Sequence, residues 1–391
     1  MAVSAPIRNG LIWLWGMQLA GCTPTIEDQF ATYQTRVAHV LSLPSTPSPV
    51  ITLVPFPAQR ELQRPLPDLR IGLLDILPLN QCGLGTLVAE RNGPVGRSTD
   101  NFSQLAYEWQ LVQGLARCKT QDPEVAQWLT SLRQQKTAML PDRFWNALVS
   151  TPELRRVLTP RRTPLSLTST LQETRQALGQ LQRWQEAVAR PDHVTASLPP
   201  LTDALESLYR SDALPRLLYS LPLATAWLNQ ISAQLEPLPI TTLCPATDPQ
   251  RQDRLRGAMT HYYARGLQPW LAQLDRQFRQ ISPSLAALFD NASPPALQAW
   301  QTSYASGLES RVWLDFRAAT VRHAKAWQGV FLRCEAPGGK PPPATQVRIG
   351  CACKINRLRK NSANGLLCAY RLLTAFGGMG SMPTTSAVLV S

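Results

Sequence analysis

The chain has 391 residues, 44% of them hydrophobic, with 39 Lys and Arg against 26 Asp and Glu. That length allows a large core and one to three domains. Much of the formal charge of +13 sits in residues 336–391, which hold seven Lys and Arg and no Asp or Glu, so the balance is poor support for nucleic-acid binding by the body and no such partner is expected.

At the N-terminus Arg8 is followed by a short apolar run over 11–17 that closes on Leu19-Ala20-Gly21-Cys22. A charged start, an apolar stretch and small residues before a cut are the parts of a secretory signal. Leu-Ala-Gly-Cys resembles the bacterial lipobox, in which the cysteine sulfur takes diacylglycerol and becomes the new N-terminus. Residues 1–21 are therefore expected to be a signal peptide and Cys22 the lipidation site. The run is too short to stay in a bilayer as a helix, which needs about 20 apolar residues. Two or three acyl chains, at roughly 0.8 kcal/mol per buried methylene, would hold the protein firmly to a membrane. Thr23 follows Cys22, where many proteins kept at the inner membrane carry aspartate. The expected location is the outer membrane, lipid-anchored and facing the periplasm.

Residues 22–68 read as a lipid-anchored N-terminal helix and a Pro-rich linker. Ile26, Phe30, Tyr33, Val37 and Val40 share one helical face, and Thr25 with Asp28 has the form of a capping box. Pro44, Pro47, Pro49, Pro55, Pro57, Pro65 and Pro67 favour extended chain across the surface of the body, with residues 50–54 the fair strand candidate. A first helical subdomain is expected over 69–158. It would hold two helices around a loop near 92–101, then helices at 122–139 and 141–150, each starting near a proline. Residues 159–164 look like a boundary, and a second helical subdomain spans 165–335. Its clearest helix carries Leu167, Leu171, Thr174, Leu178, Leu181, Trp184 and Val188 on one stripe. Helices over 201–235 are broken by Pro215 and Pro222, and one over 250–280 is kinked at Pro269. Leu297, Trp300, Tyr304, Leu308, Val312, Phe316, Ala319, His323 and Trp327 complete one long stripe. The expected fold is all-α, a disulfide-stapled multi-helix body with a Pro-rich N-terminal linker.

An oxidising periplasm favours paired cysteines. Beyond Cys22 there are seven: Cys82, Cys118, Cys244, Cys334, Cys351, Cys353 and Cys368. The last three lie in 336–391, an atypical basic tail with a Pro-Pro-Pro run and Gly377-Gly378-Met379-Gly380. It reads as a basic arm or, in preference, as the product of a coding frame slipped near Glu335. Without it an even set of four remains. Four cysteines permit three connectivities; local pairing, Cys82–Cys118 and Cys244–Cys334, is the natural choice. Each would add roughly 3.5–4.5 kcal/mol in the chain-entropy model.

No catalytic set stands out. There is no Gly-x-Ser-x-Gly elbow, and Gly83-Leu84-Gly85 reads as local packing beside Cys82. Cys351-x-Cys353 lacks a metal spacer, and His39, His193, His261 and His323 are scattered. Neither metal nor cofactor is expected, and His323, on an apolar stripe, reads as a satisfied core histidine. Asp75 and Glu90 are the carboxylates available for acid–base work on a glycan, with pairing to Arg91 and Arg97 explaining them equally well. Tyr262, Trp270, Trp300, Trp313 and Trp327 read as core, or as the wall of a cleft for an apolar ligand.

Arg60-Glu61-Leu62, Leu69-Arg70-Ile71-Gly72-Leu73-Leu74-Asp75, Cys82-Gly83-Leu84 and Ala89-Glu90-Arg91-Asn92 resemble an uncharacterised Gram-negative bacterial lipoprotein family, a domain of unknown function. Trp145-Asn146, Cys244-Pro245 and Tyr262-Tyr263 are similar too, so the likeness covers roughly 22–334 and ends where the basic tail begins. The family has Asn-Ser-Ser-Leu-Gly where this chain has Asn92-Gly93-Pro94-Val95-Gly96, which weakens a role for loop hydroxyls. Asp75, Glu90, Arg91 and Asn92 are the functional candidates of this region. The resemblance implies location and extent but no reaction. The expected function is a non-catalytic binding or structural module for an envelope protein, lipid or wall partner. The alternatives are a carrier or sensor of an apolar ligand and a hydrolase of envelope polymer.

Overall fold

The structure is a computed structural model that describes residues 24–72, 75–193, 197–289 and 294–335. Leu19, Ala20, Gly21 and Cys22 lie outside the described residues, as does the tail from 336. Among the described residues the fold is helical throughout, with no strand and no helix long and apolar enough to cross a membrane.

Helix α1 (Ile26–Leu41) begins at the expected capping box: Thr25 Oγ accepts from the Asp28 amide at 3.1 Å, and the Asp28 carboxylate accepts from the Thr25 amide at 2.9 Å. Phe30, Tyr33, Val37 and Leu41 fill its buried face. The Pro-rich segment then crosses the body as a strap, interrupted by the single turn α2 (Gln59–Leu62). Residues 50–54 form no strand, which corrects the strand expectation. Side chains from distant helices take the strap's backbone groups instead, as buried amides and carbonyls require. Gln230 donates to the Pro47 carbonyl at 2.8 Å, Arg155 to Pro57 at 2.7 Å, and the Trp145 indole to Leu62 at 2.7 Å. The Val54 amide donates to the Tyr304 hydroxyl at 3.3 Å, and the Asn146 amide group pairs with both backbone groups of Arg64. Buried Ile51 and Phe56 pin the strap from below.

Next come α3 (Ile76–Asn80), α4 (Gly85–Asn92), α5 (Pro94–Arg97) and α6 (Asn101–Arg117). The expected loop at 92–101 therefore contains a helical turn, because Pro94 sits at the first helical position, where its missing N–H costs nothing. Helix α7 (Pro123–Ser150) is continuous where two helices were expected. Pro141 lies on its exposed side, and burial of Met139, Leu140, Phe144 and Trp145 around it offsets the roughly 3 kcal/mol of an internal proline. Then follow α8 (Pro152–Leu158) and α9 (Gln172–Ala189). Leu167 precedes α9 and is exposed, so the buried stripe starts at Leu171. After α10 (Leu201–Arg210), helix α11 (Ala213–Leu235) runs unbroken through Pro222, with Pro215 in its first turn.

Beyond α12 (Ile240–Leu243), the helix expected over 250–280 divides into α13 (Arg251–Ala258), a π-helical stretch (Met259–Leu267) and α14 (Gln268–Leu288). Pro269 lies just after the wide turns, which absorb the disruption expected as a kink. The final stripe divides into α15 (Gln298–Tyr304) and α16 (Arg311–Glu335). Between them Gly307 takes φ +61°, and the Ser310 hydroxyl accepts from the Ser306 amide at 3.0 Å, so the chain turns instead of continuing.

One large apolar core takes residues from Phe30 to Phe331, including both sides of 159–164. A smaller one gathers Ile71, Leu79, Leu84, Val88, Leu111, Leu115 and Leu129. Helices α6 and α7 join the two: Leu105 and Leu140 belong to the large core, Leu111 and Leu129 to the small one. Both expected disulfides are present. Cys82–Cys118 closes the small core between the α3–α4 turn and the end of α6, with Cα atoms 5.2 Å apart. Cys244–Cys334 ties the end of α12 to the last turn of α16 at 5.7 Å.

Candidate functional site

The residues singled out around 75–92 act as local clips. The Asp75 carboxylate accepts from the Gly72 amide at 2.9 Å, at the head of α3. Glu90 is exposed near the end of α4. Asn92 donates to the Ile71 carbonyl at 3.1 Å, and Arg91 donates to the Gly96 carbonyl while its guanidinium lies 5.8 Å from the centre of the Tyr107 ring. Arg91 and Asn92 thus hold the α4–α5 corner closed, and the structure shows no hydrogen bond or ion pair joining Asp75 to Glu90 among the described residues. Gly96 has no room for a side chain, since a Cβ would run into the Glu90 carbonyl and the Arg91 backbone. Gly96→Ala is expected to cost about 1–3 kcal/mol, read as a lowered thermal midpoint.

A cleft of about 1410 Å³ opens beside this corner. One face of α6 forms its floor, with Trp109, Gln113 and Arg117 at helical spacing and Gln110 beside them. Leu84 and Leu87 close one end, residues 150–153 form a rim, and Trp184 with residues 197–202 makes the far wall. The wall is fixed: the Trp184 indole donates to the Pro199 carbonyl at 2.9 Å, and Trp109 meets Trp184 edge-on at 5.7 Å. Gln113 is tied to the Pro191 carbonyl at 3.1 Å. Asp100 is spent on capping α6, accepting from the Phe102 amide at 2.8 Å and the Ser103 hydroxyl at 2.6 Å. Burial alone would raise its carboxyl, but these hydrogen bonds outweigh burial and hold it below the usual value. Of the aromatic residues read as core or as the wall of a cleft, Trp270, Trp300, Trp313 and Trp327 are core, and half-buried Tyr262 does not line this cleft. Trp109 carries a signal that was legible in the sequence: a tryptophan flanked at one and four residues by glutamines on an amphipathic helix.

Two buried polar clusters lie outside the cleft lining. Lys136 and Glu108 are each 3% exposed. The Lys136 ammonium donates to Glu108 at 3.1 Å and to the Leu69 carbonyl at 2.8 Å, and Arg143 lies 3.3 Å from the same carboxylate. Burial lowers the Lys136 ammonium from its usual range, and Glu108 pulls it back up. The cluster welds α6 to α7 and to the end of the strap. In the second cluster His323 lies between Tyr33, 2.9 Å from Nε2, and Ser232, 3.0 Å from Nδ1. Burial pushes its imidazole down to about 3, against a smaller upward pull from the Leu228 carbonyl. It is a satisfied core histidine. Among the described residues no group of three or more His, Cys, Asp or Glu is placed to hold a metal ion.

A family model described as a protein of unknown function, DUF3080, matches residues 30–337. The chain belongs to that family. No curated protein and no solved structure matches it. The cleft, both polar clusters and both disulfides fall inside the matched span, while Cys22 and most of the tail fall outside it.

Proposed function

We propose that this protein is an envelope lipoprotein, anchored through Cys22 at the periplasmic face of the outer membrane, and that its helical body is a non-catalytic binding module. The observation that carries this reading is Leu19-Ala20-Gly21-Cys22, which resembles a lipobox, directly before a capped helix in a body stapled by two disulfides. With only Thr23, Pro24 and Thr25 as tether, the body would sit close to the membrane surface. The cleft along α6 is the binding surface, since there a fixed aromatic wall meets the exposed side chains of Gln110 and Arg117.

Intact mass spectrometry of protein extracted by detergent from its native membrane tests the anchor. The expected mass is that of the chain from Cys22 plus diacylglyceryl and acyl groups, rising by two protons for each disulfide on reduction. An unlipidated mass beginning at another residue overturns the location, and with it the reason for preferring an envelope partner.

A further inference from the structure

The cleft's chemistry narrows its ligand. Among its lining residues the ionisable ones are Asp100, Arg117 and Glu153, one cation against two anions. Such a lining does not attract a polyanion, which needs clustered Lys and Arg. The hydroxyls and amides of Thr99, Asn101, Ser103, Gln113, Ser150 and Thr151 are spent on partners inside the fold. The N–H groups of Trp109, Gln110 and Arg117 are not, so a purely apolar ligand would cover these three groups without pairing them. An extended peptide has no sheet edge to join, because no strand is present among the described residues. The lining suits an uncharged ligand rich in hydroxyl groups that still offers an apolar face.

On α6, three groups along one face meet that description. The indole N–H of half-buried Trp109, the amide of Gln110 and the guanidinium of Arg117 have no hydrogen-bond partner among the described residues, and all three line the cleft. A pyranose ring presents a C–H face that packs on an indole, and hydroxyls at its edge that pair with amide and guanidinium donors. Trp184 backs Trp109 edge-on, so the platform is rigid before any ligand arrives. We propose that the cleft binds a neutral polysaccharide strand, with one sugar stacked on Trp109 and its neighbours hydrogen-bonded by Gln110 and Arg117. This rests on the reading of the body as a binding module and assigns its ligand class.

The test uses the full disulfide-bonded chain in a detergent without a sugar headgroup. It is titrated with uncharged hexasaccharides of β-1,4-glucose, α-1,4-glucose and β-1,4-N-acetylglucosamine, followed by tryptophan emission and calorimetry. Saturable binding to at least one is expected. Trp109→Ala should weaken it about tenfold or more and Gln110→Ala about threefold. Gln110 and Arg117 are exposed, so their alanine variants keep the test valid if Trp109→Ala fails to fold. No saturable binding to any of the three, or binding indifferent to all these variants, overturns the proposal. A photo-crosslinker at position 110 in intact cells separates the two readings. A protein adduct without sugar binding discards the polysaccharide and keeps the binding module, whereas neither adduct nor sugar removes both.

Discussion

Lys136→Met is expected to cost about 3–5 kcal/mol, seen as a lower urea midpoint at unchanged slope. Methionine keeps the aliphatic stem, so packing changes little. What is lost is the charge that meets Glu108 at 3.1 Å and the donor that meets the Leu69 carbonyl at 2.8 Å. The Glu108 carboxylate, 3% exposed, is then left facing Arg143 alone at 3.3 Å. The penalty is that of a buried, half-compensated charge, not the small value of a surface ion pair, at about 0–1 kcal/mol. Lys136→Met with Glu108→Gln removes both charges and is expected to recover more than half of the loss. A single-variant cost under about 1 kcal/mol would show that water reaches the pair and that α6, α7 and the strap are not welded there.

The same pair shows what the sequence made legible. The amphipathic stripe of α1 and its capping box follow from spacing, which is local, whereas the disulfide pairing is one choice among three connectivities, and the structure shows it. Glu108 and Lys136 are legible in kind. On α6 Leu105, Glu108, Leu111 and Leu115 step as one face, and on α7 Leu129, Lys136 and Leu140 do the same, so each charge occupies a core slot. Two opposite charges in core slots of successive helices point to a buried pair. Prolines misled for the opposite reason. Pro141 and Pro222 read as breaks because a helix interior costs them about 3 kcal/mol, but long helices with large buried faces absorb that. Nor could local pattern reveal the strap's partners, since Arg155, Asn146, Tyr304 and Gln230 reach it from far along the chain. The cleft depends on α6, α9 and the 197–202 segment meeting in space, so Trp109 and Trp184 could not be paired from spacing.

Stability is expected to fall by about 2.5 kcal/mol between pH 7 and pH 4.5 through His323 alone. In the unfolded chain its imidazole takes up a proton near 6.5; in the fold burial holds it to about 3. Between those values the unfolded state binds one more proton, so stability rises with pH there by about 1.4 kcal/mol per unit, and is lost as pH falls below 6.5. The surroundings explain why the folded ring refuses the proton. Burial holds the Tyr33 and Tyr263 phenols well above their usual range, so Tyr33 stays protonated and donates to Nε2. Trp327 donates to the Tyr33 oxygen at 2.6 Å, while Ser232 donates to the Leu228 carbonyl at 2.6 Å and is left to accept from Nδ1–H. A second ring proton at Nε2 would face the Tyr33 donor, with no carboxylate in the cluster to balance it. His323→Gln cannot titrate. It is expected to be about 1–3 kcal/mol less stable than the parent at pH 7, because one of Tyr33 and Ser232 loses its partner. Its decline toward pH 4.5 should be shallower by about 2.5 kcal/mol, bringing the two curves together at the acid end. His39, His193 and His261 are exposed and common to both proteins, so they cancel in the comparison. Parallel curves across that range would show that the folded imidazole takes up its proton as readily as the unfolded one, and that the Tyr33–His323–Ser232 chain is open to water.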